Sequence, residues 1–191
     1  VGHDGGVRAK FTELEGVVLF TPDPFRDGRG LFTRTFDARL FDAAVADRTP
    51  VRAADFIQDS QSRSRRGVIR GMHGRSGRGE AKLVRCAHGA IHDVLVDIRR
   101  TSPTFGRTQA FTLDDDTFAH LFVPPGLLHG FQALTDCADV CYRIDREHDP
   151  AEDLAVAYDD PDLAIAWPLP VSSVSARDAA AASWASLMKS L

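Results

Sequence analysis

Asparagine is missing altogether, lysine occurs only at Lys10, Lys82 and Lys189, and cysteine only at Cys86, Cys137 and Cys141. An odd set of cysteines without a CxxC pair does not make a disulfide framework. The three are read as small apolar side chains of a protein kept in a reducing cytoplasm. No excess of positive charge is present: 23 Lys and Arg stand against 27 Asp and Glu, for a net charge of −4. That balance gives no electrostatic footprint for nucleic acid or an anionic membrane. No apolar run approaches the ~20 residues of a membrane span. No charged-then-apolar leader opens the chain, and residues 1–6 read as a trimmed end. Internal repeats, linkers and low-complexity stretches are absent too. With 191 residues and 43% hydrophobic content, the chain is expected to form one domain over 1–191, with its core at about 14–170.

What is present is period-2 alternation broken by Gly and Pro. It predicts strands at Gly16–Thr21, Leu31–Phe36, Phe56–Ser62, Gly67–Met72, Lys82–Ala87, Ala90–Ile98, Thr108–Leu113, His120–Val123, Gly130–Leu134 and Asp139–Ile144. Short helices are expected at Asp37–Asp47 and over the Ala-rich tail Ala176–Leu191. Many short strands without intervening helices make an all-β sandwich or barrel, because a parallel sheet needs crossover helices. Within Ala90–Ile98 the alternation sets Asp93, Leu95 and Asp97 opposite His92, Val94, Val96 and Ile98. A face with two carboxylates is either solvated or lines a polar cavity, and a small barrel has room for one ligand.

Among the histidines, His73 ends a strand beside the flexible Gly74–Gly79 stretch, a suitable place for a proton-transfer base. His129 follows the rigid Val-Pro-Pro-Gly turn, and His148 lies in a charged loop. A metal is not expected. The residue two after His73 is Arg75, and His88 and His92 would not share a strand face, so the close His-x-His pair of a metal-binding barrel is lacking. No other cofactor is implied. Arg29 and Arg70, each beside a glycine, suit the oxygens of a phosphate group.

Several strings occur together in order: Arg29-Gly30-Leu31-Phe32, Phe56-Ile57-Gln58-Asp59-Ser60, Arg66-Gly67-Val68-Ile69-Arg70-Gly71-Met72-His73, Lys82-Leu83-Val84-Arg85-Cys86, Ser102-Pro103-Thr104-Phe105-Gly106 and Val123-Pro124-Pro125-Gly126-Leu127-Leu128-His129-Gly130-Phe131. On these the chain resembles the dTDP-4-dehydrorhamnose 3,5-epimerases over about residues 14–170. The resemblance implies a metal-free cupin jelly-roll barrel, a homodimer, and a dTDP-4-keto-6-deoxyhexose substrate epimerised at C3, C5 or both. It implies His73 as the base, Asp160 as the carboxylate that orients it, and Lys82 as the ammonium that stabilises the enolate. Arg29, Gln58, Arg70 and His129 match the substrate and diphosphate contacts of the family. Asp93 is a further candidate for the cavity wall.

The chain also departs from the family pattern. The proton-donating tyrosine is expected two residues before Pro150, where His148 stands, while Tyr142 matches a different, strand-borne position. Ser60 replaces an asparagine, Gly74 an aromatic and Arg34 a glutamate. Four outcomes are left open. His148 acts as the acid, or solvent returns the proton and only one carbon is epimerised. Otherwise the barrel performs other enolate chemistry (isomerisation, elimination or cyclisation) or only binds a nucleotide sugar.

Overall fold

Alternating apolar and polar side chains build the antiparallel strands of two sheets; the computed structural model describes residues 6–191, so most of the stretch read as a trimmed end lies outside the described residues. One sheet has the order β1 (Val7–Phe11), β2 (Val18–Pro22), β10 (His120–Val123), β7 (Lys82–His88), β12 (Cys137–Ile144) and β5 (Gln58–Arg65). The other runs β13 (Asp153–Ala155), β6 (Ile69–Arg75), β11 (Leu127–Ala133), β8 (Ala90–Asp97) and β9 (Thr108–Asp114). The two sheets face each other as a cupin-type jelly roll. The hairpin β3 (Phe25–Asp27) and β4 (Gly30–Phe32) belongs to neither.

Three apolar layers hold this arrangement. Leu95, Leu121, Val84, Val140 and Phe131 pack between the sheets. Helix α1 (Ala38–Val45), N-capped by Asp37, covers the outer face of the six-stranded sheet through Phe41 and Val45, which meet Phe20, Leu83 and Phe122. The C-terminal segment covers the outer face of the five-stranded sheet, where Leu163, Leu187, Trp167 and Trp184 pack on Met72, Val94, Val96 and Leu128. Burying a side chain of this size is worth about 1.5–3 kcal/mol, so the outer layers contribute to the fold as the inner one does. Among the described residues no helix is long and apolar enough to cross a membrane.

The alternation expected in β8 holds, with its polar face turned inward. Asp93 and Asp97 are both fully buried. Asp97 accepts from Arg99 Nε at 2.9 Å, Ser102 Oγ at 2.6 Å and Thr104 Oγ1 at 2.6 Å. The Ser-Pro-Thr-Phe-Gly string therefore closes a turn around a buried carboxylate, and its role is structural. Where β6 passes β11, Gly71 and Gly130 face each other. A Cβ on Gly71 would lie 2.5 Å from Gly130 Cα, and one on Gly130 would lie 2.5 Å from Met72 Sδ. Only glycines permit this approach, and next to it His73 pairs in register with His129.

Two expectations need correction. The strand expected at Leu31–Phe36 is shorter: β4 pairs only with β3, and Asp37 at once starts α1. The tail is two helices rather than one, α2 (Ala176–Ala179) and α3 (Trp184–Ser190). Ser175 caps the first by accepting from Asp178 N, and Ser183 caps a second by accepting from Ser186 N. A serine cap inside an alanine run favours a new helix start over continuation.

Candidate active site

A cavity of about 690 Å³ lies between the sheets. Strands β5, β7 and β12 supply one wall through Gln58, Ser62, Lys82 and Tyr142; β6 and β11 supply the other through Arg70, His73, Arg75 and His129. Asp153, His148, Arg177 and Asp178 complete the lining. Half-exposed side chains at His148 and Arg177 mark its rim.

His73 is brought here by β6, and its Nε2 lies 2.6 Å from Asp178 Oδ1. The other Asp178 oxygen faces Gly71 N at 3.4 Å. Ser175 caps the turn that carries this aspartate, and the side chain is buried. Burial pushes the His73 imidazole below its usual 6.5; Asp178 opposes this, while the positive charges of Lys82 and Arg177 add to it. His73 is therefore neutral at pH 7 and able to accept a proton.

The carboxylate expected beside His73 was Asp160, and here the expectation fails. Asp160 is buried, but its oxygens accept from Asp162 N at 3.0 Å, Leu163 N at 3.3 Å and Trp184 N at 2.8 Å. A carboxylate whose lone pairs are taken by backbone N–H groups of its own turn and of α3 is a structural cap. Asp178 is the carboxylate that stands beside His73. The signal that could have found it was Ser175-Ala176-Arg177-Asp178, the spacing of a capped helix start, with a lone buried acid in an alanine-rich tail.

Other expected residues are in the cavity. Lys82 lines it, with Nζ 3.0 Å from Glu80 Oε1. His129 Nε2 lies 2.7 Å from Asp93 Oδ2, both side chains being buried. Arg70 donates to Ser64 Oγ at 3.0 Å and to the Arg63 carbonyl at 3.2 Å, and Gln58 sits on the lining. Arg29 does not line this cavity; it lies on the β3–β4 hairpin and pairs with Asp27 at 2.6 Å.

His148 is at the rim, 57% exposed, with Nε2 3.4 Å from Asp153. The phenol inside is Tyr142. Alternation along β12 sends Tyr142 and Ile144 to the cavity, and in register Tyr142 faces Val84 and Ile144 faces Lys82. The Tyr142 hydroxyl lies 2.9 Å from Ser62 Oγ, and its ring packs edge-on to His129 at 6.4 Å. Burial pushes the Tyr142 phenol above its usual 10, although the hydrogen bond to Ser62 opposes this. It therefore holds its proton at neutral pH, as a donor must. Distance to Pro150 along the chain does not report this placement, whereas the alternation of β12 does.

The arrangement joins a neutral, carboxylate-bound imidazole, an ammonium and a protonated phenol around one cavity. It suits removal of a proton next to a carbonyl, stabilisation of the resulting oxyanion and return of a proton to carbon.

Comparison with known proteins places the chain in a family of sugar epimerases. The family model for dTDP-4-dehydrorhamnose 3,5-epimerase matches residues 11–186. A dTDP-4-dehydrorhamnose 3,5-epimerase of Neisseria gonorrhoeae is 38% identical over 94% of this chain, which spans only 53% of that relative's length. Among solved structures, a 4-keto-6-deoxy sugar epimerase from the novobiocin biosynthetic gene cluster of Streptomyces spheroides superposes with a TM-score of 0.91 at 35% identity, covering 100% of this chain and 94% of its own. A 3'-monoepimerase from Streptomyces bikiniensis in complex with dTDP-quinovose follows with a TM-score of 0.84 at 33% identity, covering 93% and 88%. That enzyme has also been solved as a double mutant, one histidine replaced by asparagine and one tyrosine by phenylalanine.

Proposed function

The chain belongs to the dTDP-4-dehydrorhamnose 3,5-epimerase family, and from that premise we propose that its cavity epimerises a dTDP-4-keto-6-deoxyhexose at C3, C5 or both. It is an isomerase-class epimerase of deoxysugar biosynthesis. The observation that carries the assignment of roles is His73 at 2.6 Å from Asp178, in one cavity with Lys82 and Tyr142.

The ketone at C4 acidifies the neighbouring C–H bonds. Asp178 takes the Nε2–H of His73 and fixes that tautomer, which leaves Nδ1 to accept the proton. The electron pair of the broken C–H bond moves to the C4 oxygen, where the Lys82 ammonium stabilises the enolate. Tyr142 then gives its hydroxyl proton to the same carbon from the opposite face. The tyrosinate takes a proton from solvent and His73 returns one, so the cycle closes without a cofactor. His148, at the rim beside Asp153, contacts the sugar or the nucleotide rather than supplying the proton. Arg70, Gln58 and His129 hold the substrate.

We take residues 1–191 as one domain, working in the cytoplasm as a homodimer. Arg29 lies on a hairpin outside both sheets, together with exposed Phe25, Leu31 and Phe32. For Arg29 to reach a diphosphate it must be delivered to the cavity of a second copy, which would also cover those apolar side chains.

Solvent deuterium exchange tests the reaction. Incubated in D2O with dTDP-4-keto-6-deoxyglucose, the protein is expected to place label at C3, at C5 or at both, read by NMR. Absence of label at either carbon would reject the reading for this substrate. The pH dependence has a definite sign. The base must be unprotonated, and burial holds His73 below 6.5, so kcat/KM is expected to be level at pH 7 and to fall only below pH 6.5. Loss of rate centred above pH 7 would contradict His73 as the base.

A further inference from the structure

The proposed reaction leaves four charged groups of the cavity wall without a part, and with Lys82 they form one chain of alternating sign. Lys82 Nζ lies 3.0 Å from Glu80 Oε1. Glu80 Oε2 accepts from Arg75 Nε at 3.2 Å. Arg75 also pairs with Asp153 and donates to the Asp149 carbonyl at 2.6 Å. Asp153 Oδ2 lies 2.7 Å from Arg177 Nη2. The side chains of Lys82, Glu80, Arg75 and Asp153 are 16%, 7%, 9% and 18% exposed, so the chain is internal until it reaches Arg177.

Withdrawing charges from water costs several kcal/mol per ion unless partners and hydrogen bonds offset it. The apolar layers already hold both sheets without this array, so a structural need for it is weak. Its two ends are functional. One is the ammonium at the ketone oxygen. The other is Arg177, whose neighbour Asp178 holds His73.

We propose that Glu80 and Arg75 are positioning residues that fix the Lys82 ammonium toward the ketone oxygen and tie it, through Asp153 and Arg177, to the segment carrying Asp178. The proposal rests on the epimerase reading of this site. An ammonium has three donors on a flexible stem. Glu80 engages one and limits where the others point. A buried site whose supports are loose by about 1 Å loses on the order of 100-fold in rate.

The array also acts on charge. The titratable and charged groups sharing the cavity with His73 are Asp178 and Arg177 from α2, Lys82 from β7, His129 from β11, Tyr142 from β12, Arg70 and Arg75 from β6, Glu80, Asp153 from β13 and His148. Lys82 and Arg177 are the cations that oppose protonation of His73, and each is held by a carboxylate, Glu80 and Asp153. Glu80 thus offsets the effect of Lys82 on the base as well as placing it.

The test is Glu80→Gln, nearly isosteric, assayed with dTDP-4-keto-6-deoxyglucose. We expect kcat to fall about 10–100-fold with KM within about threefold, and the acid limb of the pH profile to move to lower pH. Added to Lys82→Ala, the same substitution should cause no further loss, because Glu80 acts through Lys82. Should Glu80→Gln fail to fold with Arg75 left short of a partner, Arg75→Gln/Glu80→Gln removes both charges together and is expected to show the same fall in kcat. A folded variant with kcat within twofold of wild type and an unmoved acid limb would overturn the proposal. So would full multiplication of the two losses in the Lys82→Ala background. If the wild type itself exchanges no deuterium, the epimerase reading fails and this proposal with it; if it does, a silent Glu80 variant refutes positioning alone.

Discussion

Replacing His73 by asparagine is expected to cut deuterium exchange and epimerisation together by about 10³-fold or more, the scale of a lost general base. Both fall because one nitrogen takes the proton from carbon and later returns it to solvent. The side chain projects into the cavity and takes no part in the apolar layers, so the fold should survive, with nucleotide binding and Tm near those of the wild type. NMR of the sugar in D2O reads the chemistry, and titration with dTDP reads the binding. A folded His73→Asn protein that still exchanged label at a tenth of the normal rate or better would remove His73 as the base.

The second large effect separates the two halves of the reaction. Tyr142→Phe removes the proposed acid but leaves His73, Asp178 and Lys82 untouched. Exchange of the substrate proton with solvent is expected to continue, because the base can remove and return it from one face. Inversion should slow by about 10²–10³-fold. His148→Phe, by contrast, should keep most of the inversion rate and alter mainly KM. The reverse pattern, full inversion in Tyr142→Phe and its loss in His148→Phe, would make the rim histidine the donor. The environments of the two side chains support the first pattern. The phenol is partly buried and held protonated, whereas His148 is more than half exposed and paired with Asp153.

The sequence and the structure agree where local pattern and site coincide. His73 and Lys82 belong to specific strings on strands whose alternation could be read, and the cavity receives both. Asp93 was expected on a polar face, and that face turned inward to meet His129. The failures have physical causes. The partner of His73 is delivered from over 100 positions away by a capped turn in the tail, and nothing in the strand pattern says where a tail will dock. Asp160 is buried and carboxylic, as the role required, but its own turn consumes its lone pairs. Distance from Pro150 points to His148, whereas period 2 along β12 sends Tyr142 to the cavity that Lys82 also lines. The array from Lys82 to Arg177 joins four separate segments, 75–82, 149, 153 and 177. No linear spacing carries such a connection.

The cavity itself explains how two packed sheets can support the proposed chemistry. Two sheets packed on both faces hold β6, β7, β11 and β12 firmly, so His73, Lys82 and Tyr142 are carried by strands rather than by loops. The reacting groups then need little reorganisation as charge moves from carbon to oxygen.

A crystal structure of the enzyme with a dTDP-sugar bound tests the placement of His73, Lys82 and Tyr142 around the sugar. The C4 oxygen is expected within hydrogen-bond reach of Lys82 Nζ, with His73 and Tyr142 on opposite faces of the sugar ring, at C3 or C5. A sugar ring held outside the cavity, or one with His148 rather than Tyr142 across the ring from His73, would contradict this placement.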